Sequence, residues 1–210
     1  MCERLTSPAA KAGPVNLFLI SQPTARGDDA VRKLVVSEYV SLDGVAEQPD
    51  EFVFVSDLDD SFEGDFARVI ASQDTVLLGR RTYDDWAPFW PGSDIEPFAS
   101  FINAVEKFVV TSSPLDQTWS NTSVVEGDLV EFVTDLKQRP GNDIGVAGSI
   151  TLVQSLLEAG LVDELWLVVA PAIHMHGRKL FEKGRPTRLT LKHHVTYPSG
   201  YLLLVFKVGS

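Results

Sequence analysis

The chain reads as an α/β fold, a mostly parallel central sheet with an antiparallel hairpin at its C-terminal end. Two observations predict it. From Lys33 onward, short apolar strand-like runs alternate with segments of helical periodicity, which calls for parallel strands joined by helical crossovers. The last two strand-like runs, 188–196 and 201–208, are instead joined through Tyr197-Pro198-Ser199-Gly200, a turn sequence that makes a hairpin.

The elements follow in order. Strands are predicted over 34–39, 75–78, 107–111, 123–125, 144–147 and 164–171, ahead of the hairpin. Helices are predicted over 58–71, in a short segment after Arg81, and over 96–105, 129–137 and 151–159; in the last, Leu152, Val153, Leu156 and Leu157 recur at helical spacing. Between the second and third helices, Trp86-Ala87-Pro88-Phe89-Trp90-Pro91-Gly92 carries three aromatics and two prolines, which forbid a long helix and predict a loop or rim. Residues 1–31 mix Ser, Pro, Ala, Gly and scattered charges without sustained periodicity, so a mobile tail is expected there and a single domain over 32–210. Within the tail, the apolar run 15–20 is a candidate edge strand or surface-packed segment.

Composition narrows the function. With 210 residues, 44% hydrophobic and 22% charged, the chain can bury a sizeable core as one soluble domain. Its formal charge of -11 argues against general binding to nucleic acid or a membrane surface, since phosphate-rich surfaces are held by excess Lys and Arg. Cys2 is the sole cysteine, so neither a disulfide framework nor a cysteine-rich metal site can form within one chain, and a reducing cytoplasm is expected. No apolar run approaches the ~20 residues of a membrane helix.

Two strand-to-helix junctions carry the chemistry. At the first, strand 75–78 runs into Gly79-Arg80-Arg81-Thr82-Tyr83, where a helix start offers unpaired N–H groups and Thr82 is a candidate cap. Gly79 allows close backbone approach, and the arginines add permanent charge with fork-shaped donors. At the second, Gly145-Val146-Ala147 meets Gly148-Ser149, again before a helix. Each junction alone is also a common structural turn; two in one chain favour a ligand with two phosphate positions, such as a dinucleotide with an extra ribose phosphate. The G-x-G-x-x-G and G-x-x-x-x-G-K-[ST] motifs are both absent.

Ser41-Leu42-Asp43-Gly44, Leu78-Gly79-Arg80-Arg81-Thr82-Tyr83, Val110-Thr111-Ser112, Gly148-Ser149 and Gly160-Leu161-Val162-Asp163-Glu164-Leu165 together resemble the dihydrofolate reductase-like superfamily, in the branch of the riboflavin-biosynthesis reductase domain. The match runs from about Arg32 to Val208. The resemblance implies a three-layer fold and an NADPH-dependent reductase of a small-molecule substrate, as a homodimer. It also implies site residues. Gly79, Arg80, Arg81 and Thr82 would face the ribose phosphate and pyrophosphate, with Thr111 and Ser112 near the adenine side. Gly148, Ser149, Ile150 and Thr151 would hold the pyrophosphate, and Val45 and Ala46 would lie against the nicotinamide. The chain departs from the branch at His174, where a glycine is usual, and at Ala147-Gly148, where two glycines are common. No deaminase zinc motif is present.

Other residues have two readings. Asp43 is a candidate for catalysis or simply a turn residue; Glu38 points into the cleft or to solvent, depending on strand phase. Trp86 walls a substrate cleft or belongs to a hydrophobic plug. His174 and His176 share one face of an extended segment but would need further ligands to hold a metal, so no metal site is expected. No strong general acid is visible. The expected activity is hydride transfer to a pterin-like or ribosylamino-pyrimidine substrate; the alternative is a non-catalytic nucleotide- or ligand-binding protein on the same fold.

Overall fold

The computed structural model describes residues 31–54, 57–58, 60–182 and 184–209. The expected tail and the run at 15–20 lie outside the described residues. One eight-stranded sheet organises the rest: β1 (Leu34–Val40), β2 (Gln73–Gly79), β3 (Glu106–Val110), β4 (Thr122–Val124), β5 (Asp143–Val146), β6 (Glu164–Val169), β7 (Leu189–Thr196) and β8 (Leu202–Val208). Their spatial order is β4-β3-β2-β5-β1-β6-β8-β7. The strands from β4 to β6 pair in parallel, while β8 runs antiparallel to both β6 and β7. The hairpin closes as its sequence predicts, with Tyr197 N–H donating to Tyr201 O at 2.9 Å and Gly200 in the left-handed region at φ +90°.

Helices cover both faces, giving three layers. The helices are α1 (Asp60–Ala71), α2 (Arg80–Trp86), α3 (Phe98–Ala104), α4 (Leu129–Gln138) and α5 (Ile150–Glu158). On one face, Leu34, Val36, Leu77, Phe108, Ile144 and Leu165 pack against Val133 and Leu136 of α4 and Leu152, Val153 and Leu156 of α5. On the other, Val76, Leu78 and Val109 meet Tyr83 and Ile102 from α2 and α3, and Val168, Leu203 and Val205 meet Phe62 and Phe66 of α1. Period-two alternation along each strand thus serves two cores at once.

Boundaries differ from the sequence expectation in informative places. α3 begins at Phe98, after a proline, and β6 ends at Val169, because Pro171 cannot donate to the ladder. α2 begins at Arg80 with Gly79 as its N-cap, so Thr82 sits in the first turn and is not the cap. The 86–92 stretch divides: Trp86 closes α2, and Trp90–Gly92 forms a 3-10 turn.

The C-terminus of α3 is closed by side chains from elsewhere. Fully buried Lys107 donates from Nζ to Ile102 O at 2.8 Å and Val105 O at 2.9 Å, and its ammonium lies over the Trp119 ring. Asn121 Nδ2 takes the Ala104 carbonyl at 3.0 Å. Burial pushes the Lys107 ammonium down to about 8. Lys107→Met leaves two carbonyls unpaired and at the same time removes a cation that burial disfavours below about pH 8. Because the unfolded chain holds this proton up to pH 10.5, the parent should gain on the variant as pH rises from about 8 to 10.5, a trend that denaturant titrations will show.

Candidate active site

The two junctions lie side by side because β2 and β5 are adjacent parallel strands ending at the same edge of the sheet. They touch. Gly79 N–H donates to Gly148 O at 3.0 Å, and a side chain placed on Gly79 would begin 2.3 Å from Ser149 Oγ and 2.8 Å from Ser149 N. Only a glycine allows that approach. Ser149 is the N-cap of α5, although its hydroxyl caps no N–H, and Ile150 and Thr151 open the helix. Gly148 is left-handed at φ +79° and its bond to Ser149 is cis.

Beside the junctions, Arg80, Thr111 and Ser112 line a groove of about 520 Å³ together with Val110, Ser113, Val125, Gly127 and Leu129. The Arg80 fork is well occupied. Its Nε donates to Asp84 at 2.7 Å, Nη1 to Ser113 Oγ at 2.7 Å and Pro114 O at 2.6 Å, and Nη2 to Asp116 at 2.7 Å. Arg81 is more exposed and pairs with Glu47 at 3.0 Å. A phosphate at this groove would therefore meet a cation already oriented, in competition with carboxylates on the rim.

Two residues that sequence reasoning passed over tie the site together. Glu47 Oε2 accepts from Arg178 N at 3.1 Å while its other oxygen holds Arg81, and Arg178 Nη2 donates to Thr151 Oγ1 at 2.9 Å. A third arginine thus stands at the second junction. Glu47 sits in no recognisable motif and Arg178 lies in the 171–181 segment that resembles the family's, but each reaches the site only through tertiary contact.

The loop after β1 frames the remaining wall. Val45 and Ala46 are buried, Val45 bridging to Lys179 and Ala46 N–H donating to Arg178 O at 3.0 Å. Asp43 is a clamp: its carboxylate accepts from His174 N at 3.0 Å, Met175 N at 3.1 Å and Ser41 Oγ at 2.7 Å. These donors, the His174 amide foremost, hold it down to about 2, so it is an ionised acceptor and not a proton source. His174 pairs with Glu51 at 3.1 Å, while His176 is exposed. Among the described residues, no three His, Cys, Asp or Glu side chains converge as a metal site would require.

Glu38 answers the question that strand phase left open. Its side chain turns inward, Oε1 is buried without a hydrogen-bond partner, and the carboxyl lies against the Gly148 backbone. Burial pushes it up to about 8, against the opposing pull of the Gly148 amide. A carboxyl that burial holds toward its neutral form therefore stands beside the second junction. Trp86 packs edge-on to Trp90 at 5.9 Å and to Phe98 at 5.5 Å.

A model of the RibD C-terminal domain matches residues 32–203. The chain belongs to the RibD C-terminal domain family. Within reach of this family, it is similar to the uncharacterized protein YyaP of Bacillus subtilis, with 27% identity over 184 residues that cover 83% of this chain and 94% of YyaP. Its fold is similar to that of a pyrimidine reductase-like protein from Corynebacterium diphtheriae, with a TM-score of 0.62 at 16% identity over 85% of this chain and 92% of that one. It is also similar in fold to dihydrofolate reductase from Enterococcus faecalis, a structure solved with NADP(H), with a TM-score of 0.54 at 14% identity over 85% and 97% of the two chains. A RibD C-terminal domain on a dihydrofolate reductase-like fold supports a reductase type of function. Among the described residues no helix is long and apolar enough to cross a membrane.

Proposed function

We propose that this chain is an NADPH-dependent reductase that delivers a hydride to a small heterocyclic substrate of the pterin or ribosylamino-pyrimidine type. The observation that carries the reading is the contact of the two junctions at Gly79 and Ser149, which gathers two helix starts and three arginines at the carboxyl edge of the sheet. The residues fit a phosphorylated dinucleotide: fork donors for a ribose phosphate at Arg80 and Arg81, hydroxyls at Thr82, Thr111, Ser112 and Ser149, and backbone donors at Ile150 and Thr151, with Gly148 allowing close approach. When bound, the nicotinamide supplies the hydride. Val45 and Ala46 provide a dry wall for that transfer, and Arg178 with Glu47 keeps the α5 start and the β1 loop in register. The homodimer implied by the family resemblance and the cytoplasmic location expected from the lone cysteine accompany this reading.

Titrating the purified protein with NADPH and NADH tests it, followed by absorbance of NADPH against pterins, flavin precursors and simple imines. Arg80→Ala and Arg81→Ala are each expected to weaken NADPH about tenfold or more while changing NADH little, since a charge-assisted bond to the extra phosphate is lost. Equal losses for both cofactors remove the assigned arginine role. Binding without oxidation by any acceptor favours the non-catalytic binding protein.

A further inference from the structure

Gly148 faces two polar groups. A side chain built on it would begin 3.0 Å from Thr82 Oγ1 and 3.6 Å from Glu38 Oε1, so the bare glycine lies against a hydroxyl and a buried carboxyl oxygen that has no hydrogen-bond partner. Buried polar atoms in native proteins are nearly always hydrogen-bonded, and one left without a partner beside a candidate ligand site marks a position the ligand completes. The protonation state of that carboxyl decides what it accepts. A neutral carboxylic acid has one O–H donor and can bond an anionic oxygen; a carboxylate has none and repels it.

We propose that Glu38 is a specificity-determining residue of the two-junction site: its un-ionised carboxyl donates a hydrogen bond to an anionic oxygen of the ligand lodged over Gly148, and its carboxylate form excludes that ligand. This rests on the reading of the junctions as a phosphorylated-cofactor site. The surroundings keep Glu38 neutral without help from a nearby charge. β6 places Leu167 opposite it and β5 contributes Val146, both apolar. On α2 the nearby cation is Arg81, already paired with Glu47 of the β1 loop, and at α5 it is Arg178, turned to Thr151. Burial raises the carboxyl and the Gly148 amide alone opposes, with no charged side chain acting on it.

The test uses the full chain and NADPH. Its dissociation constant is measured from about pH 7 to about pH 9.5, a range above the second phosphate ionisation at pH ~6, so the cofactor's charge is nearly constant. In the parent, affinity should fall about tenfold or more across that range as Glu38 ionises, whereas Glu38→Gln, which keeps a neutral donor, should change by about twofold or less. Infrared difference spectra give a second readout on the parent itself: the C=O band of a protonated carboxyl present at neutral pH should fade as affinity is lost, and should be missing from Glu38→Gln. If the band fades while affinity stays level, or if parent and variant share one pH slope, the inference is overturned and the cofactor reading stands. If neither protein binds NADPH at any pH, the cofactor reading itself falls and takes the inference with it.

Discussion

Glu38→Gln is expected to be more stable than the parent at pH 8, and the gain should vanish toward pH 4.5. In the unfolded chain this carboxyl ionises near 4.5, while in the fold burial holds its proton to about 8. Its folded-state value is raised, so the parent suffers no penalty below 4.5, loses stability steadily between 4.5 and about 8, and loses no more above that. At about 1.4 kcal/mol per pH unit the ceiling is about 5 kcal/mol, and partial solvent access reduces the expected gain to about 2–4 kcal/mol. Glutamine has the same shape and no proton to lose. Urea unfolding at pH 5 and pH 8 measures the difference; a gain that is equal at both values would show that Glu38 is not the buried acid described here. A residue that weakens the fold at working pH is what a stability–function trade-off predicts for a ligand-binding position.

Gly79→Ala should be the most damaging single methyl that can be added at the site. The new carbon would lie inside contact distance of three Ser149 atoms, including its backbone nitrogen at 2.8 Å, and a backbone at the head of a packed helix cannot swing aside. Overpacking of this kind reaches about 3 kcal/mol, and here the relief would come from parting the two junctions. Loss of NADPH binding should accompany the loss of stability. Gly145→Ala is the matching control, because the atom in its way is the tip of the Gln73 side chain, which can rotate out. Thermal unfolding of the two variants separates them: if Gly79→Ala melts like the parent, the close approach is not what joins the junctions.

Much of this was legible in the residues, and the reason is local. Apolar runs set the strands, helical periodicity set the helices, Tyr197 to Gly200 set the hairpin, and the Gly79 and Gly148 turns announced themselves by glycine next to helix-starting residues. What escaped depended on contacts between distant segments. Glu38 could not be assigned to a face until β1 was placed between β5 and β6. Glu47 and Arg178 lie 131 positions apart, and nothing in either neighbourhood signals that a carboxylate and an amide will meet. Threonine favours the cap position, but Gly79 with extended φ and ψ takes it, and the Thr82 hydroxyl faces Gly148. Asp43 attracted interest as an acid, and its meaning became clear only when the 174–175 backbone was seen to donate to it.

The placing of β1 has a consequence for how the polypeptide comes into being. Val36 is flanked by Val146 on one side and Leu165 on the other, so the first of the described strands lies at the sheet's centre and both its neighbours are synthesised about 110 residues later or more. Until they emerge from the ribosome, its apolar edge has nothing native to zip against, and a nascent chain halted before residue 146 should hold no nativelike centre. Closing loops of that length before any reward arrives slows assembly, so the sheet's centre is completed late in the chain's synthesis.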